Sequence, residues 1–256
     1  MQARDRSPDQ AIVAVGAIAG PDYEGSDDYA IAPVGAALIR YKGYTLNFRA
    51  NAVSFDVIPD HVGQNFKIDL GPYIDLNFDR AITPHDTLVS LTRKRKTALE
   101  GGGFIGITRT GVLTSAYDQL TLRITAVYDL GNVHHSFIIS PTAEYLMPVS
   151  KAAVLGATLT ADVVGGRYAR YYFGVGPTSS ALSGLPFYTP GAGVKSASLS
   201  LYGAISLRGD LQKRGLILGA LVNYERLLGS FAGSPIVSAR GSPNQIASTM
   251  AVAYHF

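Results

Sequence analysis

The most informative part of the chain for its fold is the last twelve residues, Gln245-Ile246-Ala247-Ser248-Thr249-Met250-Ala251-Val252-Ala253-Tyr254-His255-Phe256. Counting back from Phe256, every second side chain is large or apolar except Ser248, and those between are small or polar. Because strand side chains alternate between two faces, this pattern predicts a strand with one apolar face. In a soluble domain such a strand would be an exposed edge that tends to pair with other chains. In a transmembrane barrel, lipid covers its apolar face and closure of the barrel removes the edge. A half-buried strand of a soluble sandwich is the alternative at this point.

The composition of the whole chain favours the barrel. Apolar residues make up 47% of the 256 residues and charged residues only 16%, whereas soluble domains carry about 25% charged residues. No apolar run approaches the ~20 residues that a membrane-spanning helix needs. A lipid-facing barrel has this composition because its apolar and polar residues are interleaved.

Period-two alternation recurs along most of the chain, most clearly in residues 66–79. We count eleven such segments, with 44–55 taken as one strand, and each has about the length of a tilted membrane strand. Because bacterial single-chain barrels have an even number of strands, the count predicts twelve strands, with ten as the alternative. The segment that the count misses is expected within 57–64 or 111–118. We therefore predict an all-β fold, a closed antiparallel transmembrane β-barrel.

The start of the chain differs from the rest. Residues 1–10 contain no apolar signal-peptide core, so for an exported protein we expect a mature or trimmed chain. These ten residues are predicted to form a disordered lead-in, and residues 11–256 a single barrel domain.

Several kinds of chemistry are excluded or disfavoured. The absence of cysteine excludes disulfides, thiolate metal sites and a cysteine nucleophile. The five histidines are too scattered to indicate a metal site, and no serine sits in a nucleophile elbow. A net charge of +3 is too small to argue for nucleic acid. We predict a protein that is not an enzyme and binds no cofactor, metal or nucleic acid.

Charged residues recur on the polar faces of the predicted strands. Burying one unpaired charge in a dry core costs several kcal/mol, so these residues are expected to line a hydrated or ion-paired lumen. The predicted lumen residues are Arg49, Lys67, Asp69, Asp75, Arg123, Asp162, Arg208 and Glu225. The predicted lipid-facing residues are Phe48, Leu76, Ile124, Leu201, Leu218 and Val252.

Three further stretches are candidates for contacts with partners. The basic run Arg93-Lys94-Arg95-Lys96 suits the phosphates of lipopolysaccharide, and a solvated loop is the alternative. The connections 165–195 and 229–244 are long enough to indicate a function, and we expect them to fold inward over the barrel mouth. The predicted recognition residues in these two connections are Tyr171, Tyr172, Phe173, Tyr188, Ser234 and Pro235.

The same connections carry a resemblance to a known family. The chain resembles the MipA/OmpV family of outer-membrane proteins in motifs spread over nearly its whole length. These motifs are Pro21-Asp22-Tyr23-Glu24-Gly25-Ser26, Tyr171-Tyr172-Phe173-Gly174-Val175, Ser183-Gly184-Leu185, Tyr224-Glu225-Arg226-Leu227, Ser234-Pro235-Ile236-Val237 and Tyr254-His255-Phe256. Ser230 departs from the family pattern, which has an acidic residue before the Ser-Pro-Ile-Val element.

The resemblance implies a barrel in the outer membrane of a Gram-negative bacterium, in contact with lipid and lipopolysaccharide. It further implies a scaffold that brings a lytic transglycosylase together with a murein synthase. A narrow passive channel, or an uptake or adhesion barrel for small solutes or surface ligands, is the alternative. Family membership predicts the architecture more directly than the function.

Overall fold

Twelve antiparallel strands close into a barrel in the computed structural model, which describes residues 8–256. The predicted fold class and strand number are confirmed. The strands are β1 (Gln10–Pro21), β2 (Tyr29–Tyr41), β3 (Tyr44–Arg49), β4 (Ala52–Asp56), β5 (Phe66–Asn77), β6 (Ala98–Thr110), β7 (Gln119–Asp129), β8 (Phe137–Pro148), β9 (Ala153–Val164), β10 (Gly193–Ser206), β11 (Gly215–Leu227) and β12 (Asn244–His255). Most of the predicted lead-in 1–10 lies outside the described residues, and Gln10 is the first residue of β1.

The terminal strand β12 closes the barrel. It pairs with β1 from Ile12 opposite His255 to Ala19 opposite Ser248, and with β11 on its other side. The apolar face of β12 is exposed on the outer wall, where Val252 keeps 46% of its accessible surface. The six predicted lipid-facing side chains are all exposed. The outer wall is therefore apolar, and the terminal strand has no free edge.

The predicted single strand over 44–55 is two strands, β3 and β4. A two-residue turn at Ala50 and Asn51 joins them, with Ala50 at a φ of 50°. The Asn51 side chain holds the turn by donating to Asp75 Oδ1 at 2.7 Å and to Leu76 O at 2.6 Å. The expectation that the extra strand lies in 57–64 or 111–118 was wrong. A two-residue turn preserves the period of two, so the alternation conceals it.

The β3–β4 hairpin is short, which leaves a notch in the barrel wall. Strand β2 pairs with β1 over Tyr29–Arg40, but it pairs with β3 only over Ala36–Tyr41. Ile31 beside this notch is 80% exposed. Pro33 has no N–H to offer to another strand, so it blunts this edge against strand addition.

The two ends of the barrel differ in the length of their connections. One end, here called the turn side, has the connections 42–43, 57–65, 111–118, 149–152 and 207–214. At the other end, four connections form what we call the cap: 22–28, 78–97, 165–192 and 228–243. The cap contains α1 (Thr87–Ser90), α2 (Gly166–Phe173), α3 (Pro177–Ser183), α4 (Gly229–Ala232) and α5 (Pro235–Ser238). Within the described part of the chain, no helix has the length and hydropathy to cross a membrane.

Short helices occupy parts of the cap connections, and local sequence signals mark where they begin and end. Pro177 and Pro235 stand at the first turn of α3 and α5, where a missing N–H costs nothing. Gly184 ends α3 in the left-handed region, with a φ of 73°. Asp86 caps α1 by accepting from Val89 N at 2.8 Å. Proline and glycine positions thus carry start and stop signals even for these short helices.

Candidate functional site: the cap and the lumen

The cap has a hydrophobic core of its own. Helix α2 buries Tyr168, Ala169, Tyr172 and Phe173, which lie on one face at helical spacing. Phe173 packs edge-to-face on Phe231 of α4 with ring centroids 5.2 Å apart. The first core cluster is Val164, Tyr168, Ala169, Tyr172, Phe173, Leu227, Phe231 and Val237. Since Val164 and Leu227 end strands β9 and β11, this cluster joins the cap to the barrel wall.

A second core cluster ties the remaining cap connections together. It consists of Tyr23, Val89, Val175, Leu185 and Ile236, one or two from each of the four connections. Burial raises the pKa of the Tyr23 hydroxyl, and that hydroxyl donates to Ile236 O at 3.4 Å. All four connections therefore pack into one unit.

Buried hydrogen bonds lock the two clusters in place. Ser234 Oγ donates to Phe173 O at 2.7 Å, which links α5 to the end of α2. Arg80 Nη1 donates to Tyr172 O at 2.9 Å and its other amino group bonds the Thr92 hydroxyl. Because unpaired buried polar groups are costly, these partners favour one arrangement of the cap.

Charged side chains bind the underside of the cap to the wall. Lys195 Nζ on β10 contacts Glu24 of the cap, and it lies 3.3 Å from Asp162 and 4.0 Å from Glu225. One ammonium group therefore faces three carboxylates. Burial raises the pKa of Glu24 to about 8, against the opposing effect of Lys195 and with the help of Glu225 and Asp79.

A second polar contact lies beside α2. His134 Nε2 is 3.0 Å from Glu100 Oε1, and both side chains are buried. The Asp129 carboxylate shapes the connection around His134 by accepting from the backbone N–H groups of Val133, His134 and His135. The His134 ring packs edge-on against Tyr168 at 5.2 Å. This contact continues the cap core down to the barrel wall.

Two polar chambers occupy the lumen beneath the cap. The upper chamber measures about 350 Å³ and reaches the cap at Tyr168 and Lys195. The lower chamber measures about 440 Å³ and reaches the turn side at Asp60 and Gln119. The chambers share four lining residues, Tyr73, Thr125, Thr142 and Thr160. The cap therefore covers one end of a polar lumen.

Six of the eight predicted lumen residues line these chambers. Arg49, Lys67, Asp69 and Arg123 line the lower chamber, and Asp75 and Asp162 line the upper one, with Glu225 near Lys195. Arg208 does not line the lumen, because β10 ends at Ser206 and Arg208 is exposed in the following turn. The Ser206 hydroxyl donates to Asp210 O and accepts from Arg208 N, which closes that turn.

The predicted recognition residues do not form a surface. Tyr172, Phe173, Ser234 and Pro235 are buried inside the cap, and Tyr171 and Tyr188 are partly buried. The Tyr171 hydroxyl accepts from Lys96 N at 2.9 Å, and that of Tyr188 donates to Ser230 O at 2.7 Å. The structure makes these residues the interior of the cap, because large aromatic groups near the barrel mouth gain more from burial than from exposure.

The four residues of the basic run 93–96 also differ in exposure. Arg93, Lys94 and Lys96 are exposed on the cap, whereas Arg95 is buried with its guanidinium 5.0 Å from the Tyr171 ring. Burial and the neighbouring Arg80 lower the pKa of Arg95 to about 10. Three of the four side chains are therefore available to an anionic surface, and the fourth holds the cap together.

Sequence reasoning missed Lys195, Glu24, Glu100 and His134. Glu24 lies in one of the family motifs, but nothing in that motif identifies its partner, because Glu24 and Lys195 are 171 positions apart. In residues 8–256 no group of three His, Asp or Glu side chains could hold a metal ion.

Comparisons with known proteins identify one family and several similar solved structures. The model of the family described as MltA-interacting protein MipA matches residues 13–256. No curated protein matches the chain. Similar solved structures include an outer-membrane channel from Pseudomonas putida F1, with 10% identity, a TM-score of 0.42 and coverage of 100% of this chain and 99% of the other. Others are the outer-membrane OmpT of Vibrio cholerae (8% identity, TM-score 0.37, 100% and 99%) and OprD of Pseudomonas aeruginosa (9%, 0.31, 100% and 97%).

Proposed function

Because the chain belongs to the MltA-interacting protein MipA family, we propose that it is a non-conducting scaffold that binds a lytic transglycosylase. In this proposal it also holds the transglycosylase beside a murein synthase. The barrel fold and the family point to the outer membrane of a Gram-negative bacterium. The family is named for an interaction, which favours a binding role over catalysis.

The observation that carries this proposal is the closed cap. A wide channel needs a continuous hydrated path, but here two hydrophobic clusters and the contacts of Lys195 cover the lumen. Partial opening would expose Tyr172 and Phe173, and burying each such side chain is worth about 1.5–3 kcal/mol. The channel alternative is therefore not favoured.

The turn side is the docking face in this proposal. Outer-membrane barrels have short periplasmic turns and longer extracellular loops, so the turn side faces the murein layer. The connection 111–118 displays Leu113 and Tyr117, which keep 74% and 75% of their surface. Tyrosine is one of the residue types enriched among the side chains that contribute most to binding in protein interfaces.

The connection 111–118 is preorganised. The buried Asp118 carboxylate accepts from Val112 N at 2.6 Å, Leu113 N at 2.9 Å and Thr114 N at 2.5 Å. The Tyr145 hydroxyl donates to it at 2.6 Å and, with those backbone groups, holds the pKa of Asp118 well below its usual value. A rigid loop loses little entropy on binding, which favours recognition.

Exposed basic side chains lie in other connections at the same end of the barrel as this loop. They are Lys42, Lys151, Arg208, Lys213 and Arg214. A positive rim with apolar anchors suits a partner that carries an acidic patch around an apolar centre.

The test is a binding measurement with two matched double variants. The change Leu113→Ser with Tyr117→Ser alters the turn side, and Leu182→Ser with Phe187→Ser alters exposed residues of the cap. We expect the first to weaken capture of a purified lytic transglycosylase by the detergent-solubilised barrel at least about tenfold, and the second to leave it unchanged. Equal loss in both variants, or loss only in the cap variant, would contradict the proposal.

A further inference from the structure

The lower chamber contains charges whose balance points to a ligand. Four cations and four carboxylates line it, so its formal charge is zero. All four carboxylates have hydrogen-bond or ion-pair partners within the protein, whereas two of the four cations have no carboxylate partner among the residues that the structure describes. The cations are Arg40, Arg49, Lys67 and Arg123, and the carboxylates are Asp56, Asp60, Asp69 and Glu144.

Each carboxylate already has a partner in the wall. Asp60 is ion-paired with Lys67 at 2.9 Å and with Arg40 at 3.5 Å. Asp56 accepts from two backbone N–H groups, at 3.0 and 3.2 Å. The hydroxyl of Thr108 donates to Asp69 at 3.2 Å, and that of Tyr202 donates to Glu144. The acids of the chamber are therefore satisfied without a ligand.

Two arginines are not paired in this way. Among residues 8–256, no carboxylate oxygen lies within 4.0 Å of the Arg49 or Arg123 guanidinium. Arg123 lies 4.4 Å from the Phe104 ring, and its buried Nε has no hydrogen-bond partner. Arg49 is accessible to solvent inside the barrel. Guanidinium groups bind carboxylates through paired hydrogen bonds, so these two supply an unfilled anion-binding capacity.

The rest of the lining is rich in hydroxyl groups. Seven threonines, Ser54 and Tyr73 face the same chamber. A hydroxyl can both donate and accept, which matches a ligand that carries hydroxyls of its own. The volume of about 440 Å³ lies within the range of small-molecule sites. The cap seals the far end, so entry is from the turn side.

We propose that the lower chamber binds an anionic, polyhydroxylated small molecule of the sugar-acid class, with Arg49 and Arg123 supplying the positive charge for its carboxylate. This site is independent of the docking face proposed above, because its residues point into the barrel. Its ligand is a solute from the turn side rather than a protein.

The test is calorimetric titration of the detergent-solubilised barrel with D-glucuronate, D-glucose and inorganic phosphate. We expect glucuronate to bind at least about tenfold more tightly than glucose or phosphate. Glucose binding as tightly would overturn the role of the arginines, and phosphate binding as tightly would overturn the sugar-acid class. No glucuronate binding would overturn the site itself.

Single substitutions test whether binding depends on the two unpaired arginines in particular or only on the total positive charge of the chamber. Arg49→Gln and Arg123→Gln should each weaken glucuronate binding at least about tenfold. Arg40→Gln is the matched control, because it removes the same charge from an arginine that Asp60 already pairs, and it should change binding less than about threefold. An equal loss in Arg40→Gln would overturn the assignment. Heat-dependent mobility in gel electrophoresis verifies folding, and if Arg123→Gln does not fold, the solvent-accessible Arg49 decides.

Discussion

At the scale of single residues, the contact between Glu24 and Lys195 joins the cap to the wall. Glu24 also lies near the acids Glu225 and Asp79, which together with burial raise its pKa to about 8. In an unfolded chain the pKa of glutamate is about 4.3. Because the folded state binds the proton more tightly, this residue stabilises the cap fully below about pH 4.3, and the contribution is lost as the pH rises through about 8.

The first prediction concerns this pH dependence. The cap of the unaltered protein should melt at progressively lower temperature between pH 5 and pH 8.5, as followed by the near-ultraviolet circular dichroism of its tyrosines. Glu24→Gln should flatten this dependence, since glutamine does not titrate. Asp27→Asn, an exposed acid of the same connection, is the control and should leave the slope in place. A slope unchanged by Glu24→Gln would show that another group titrates.

At the scale of elements, alternate side chains of strand β11 point toward lipid and toward the lumen. Leu218 faces outward opposite Val252 of β12, between the levels of the outward-facing Tyr224 and Tyr254. Glu225 on the same strand faces the opposite way, toward Lys195. Helix α2 divides its residues at helical spacing instead, with aromatic groups on its buried face. Each element therefore presents one face to its own apolar surroundings.

The prediction at this scale places a charge on the lipid-facing side of β11. Leu218→Arg should lower the free energy of unfolding in lipid by ~2–4 kcal/mol, because an arginine at this depth loses its hydration. Leu207→Arg, in a turn after β10, should change it by less than about 0.5 kcal/mol. Denaturant titration in lipid vesicles measures both. Equal effects at the two positions would mean that Leu218 does not face lipid.

At the scale of the whole molecule, the protein is a barrel closed at one end by a folded cap and polar throughout its lumen. The closure depends on α2, which contributes Tyr168, Tyr172 and Phe173 to the first core cluster. Helix α3 contributes no side chain to either core cluster. The helices α2 and α3 of the connection 165–192 therefore differ in how much they contribute to closing the lumen.

The prediction at this scale concerns conductance in planar bilayers. The unaltered protein should show no large, steady single-channel current. Replacing residues 166–190 with a short Gly-Ser linker removes α2 and should produce such a current. Deleting only Ser179–Tyr188 removes Leu185 from the second core cluster but leaves α2 and the first core cluster in place, and should raise conductance far less. A large steady current from the unaltered protein would instead support a channel.

The amino-acid pattern alone predicts the barrel and the faces of its wall, because both depend on an alternation between neighbouring residues that any window of the chain displays. The twelfth strand is predicted instead from the even strand number of bacterial barrels, since the alternation reveals only eleven segments. The same locality explains the error at Ala50 and Asn51, where a two-residue turn leaves the alternation intact. The folded barrel alone reveals that Tyr172 and Phe173 are buried. It also reveals that Arg95 turns inward while Arg93 remains exposed, and that Lys195 contacts Glu24. These outcomes depend on contacts between residues far apart in the chain, and the energy of burying or pairing a side chain is set by neighbours that no local pattern identifies.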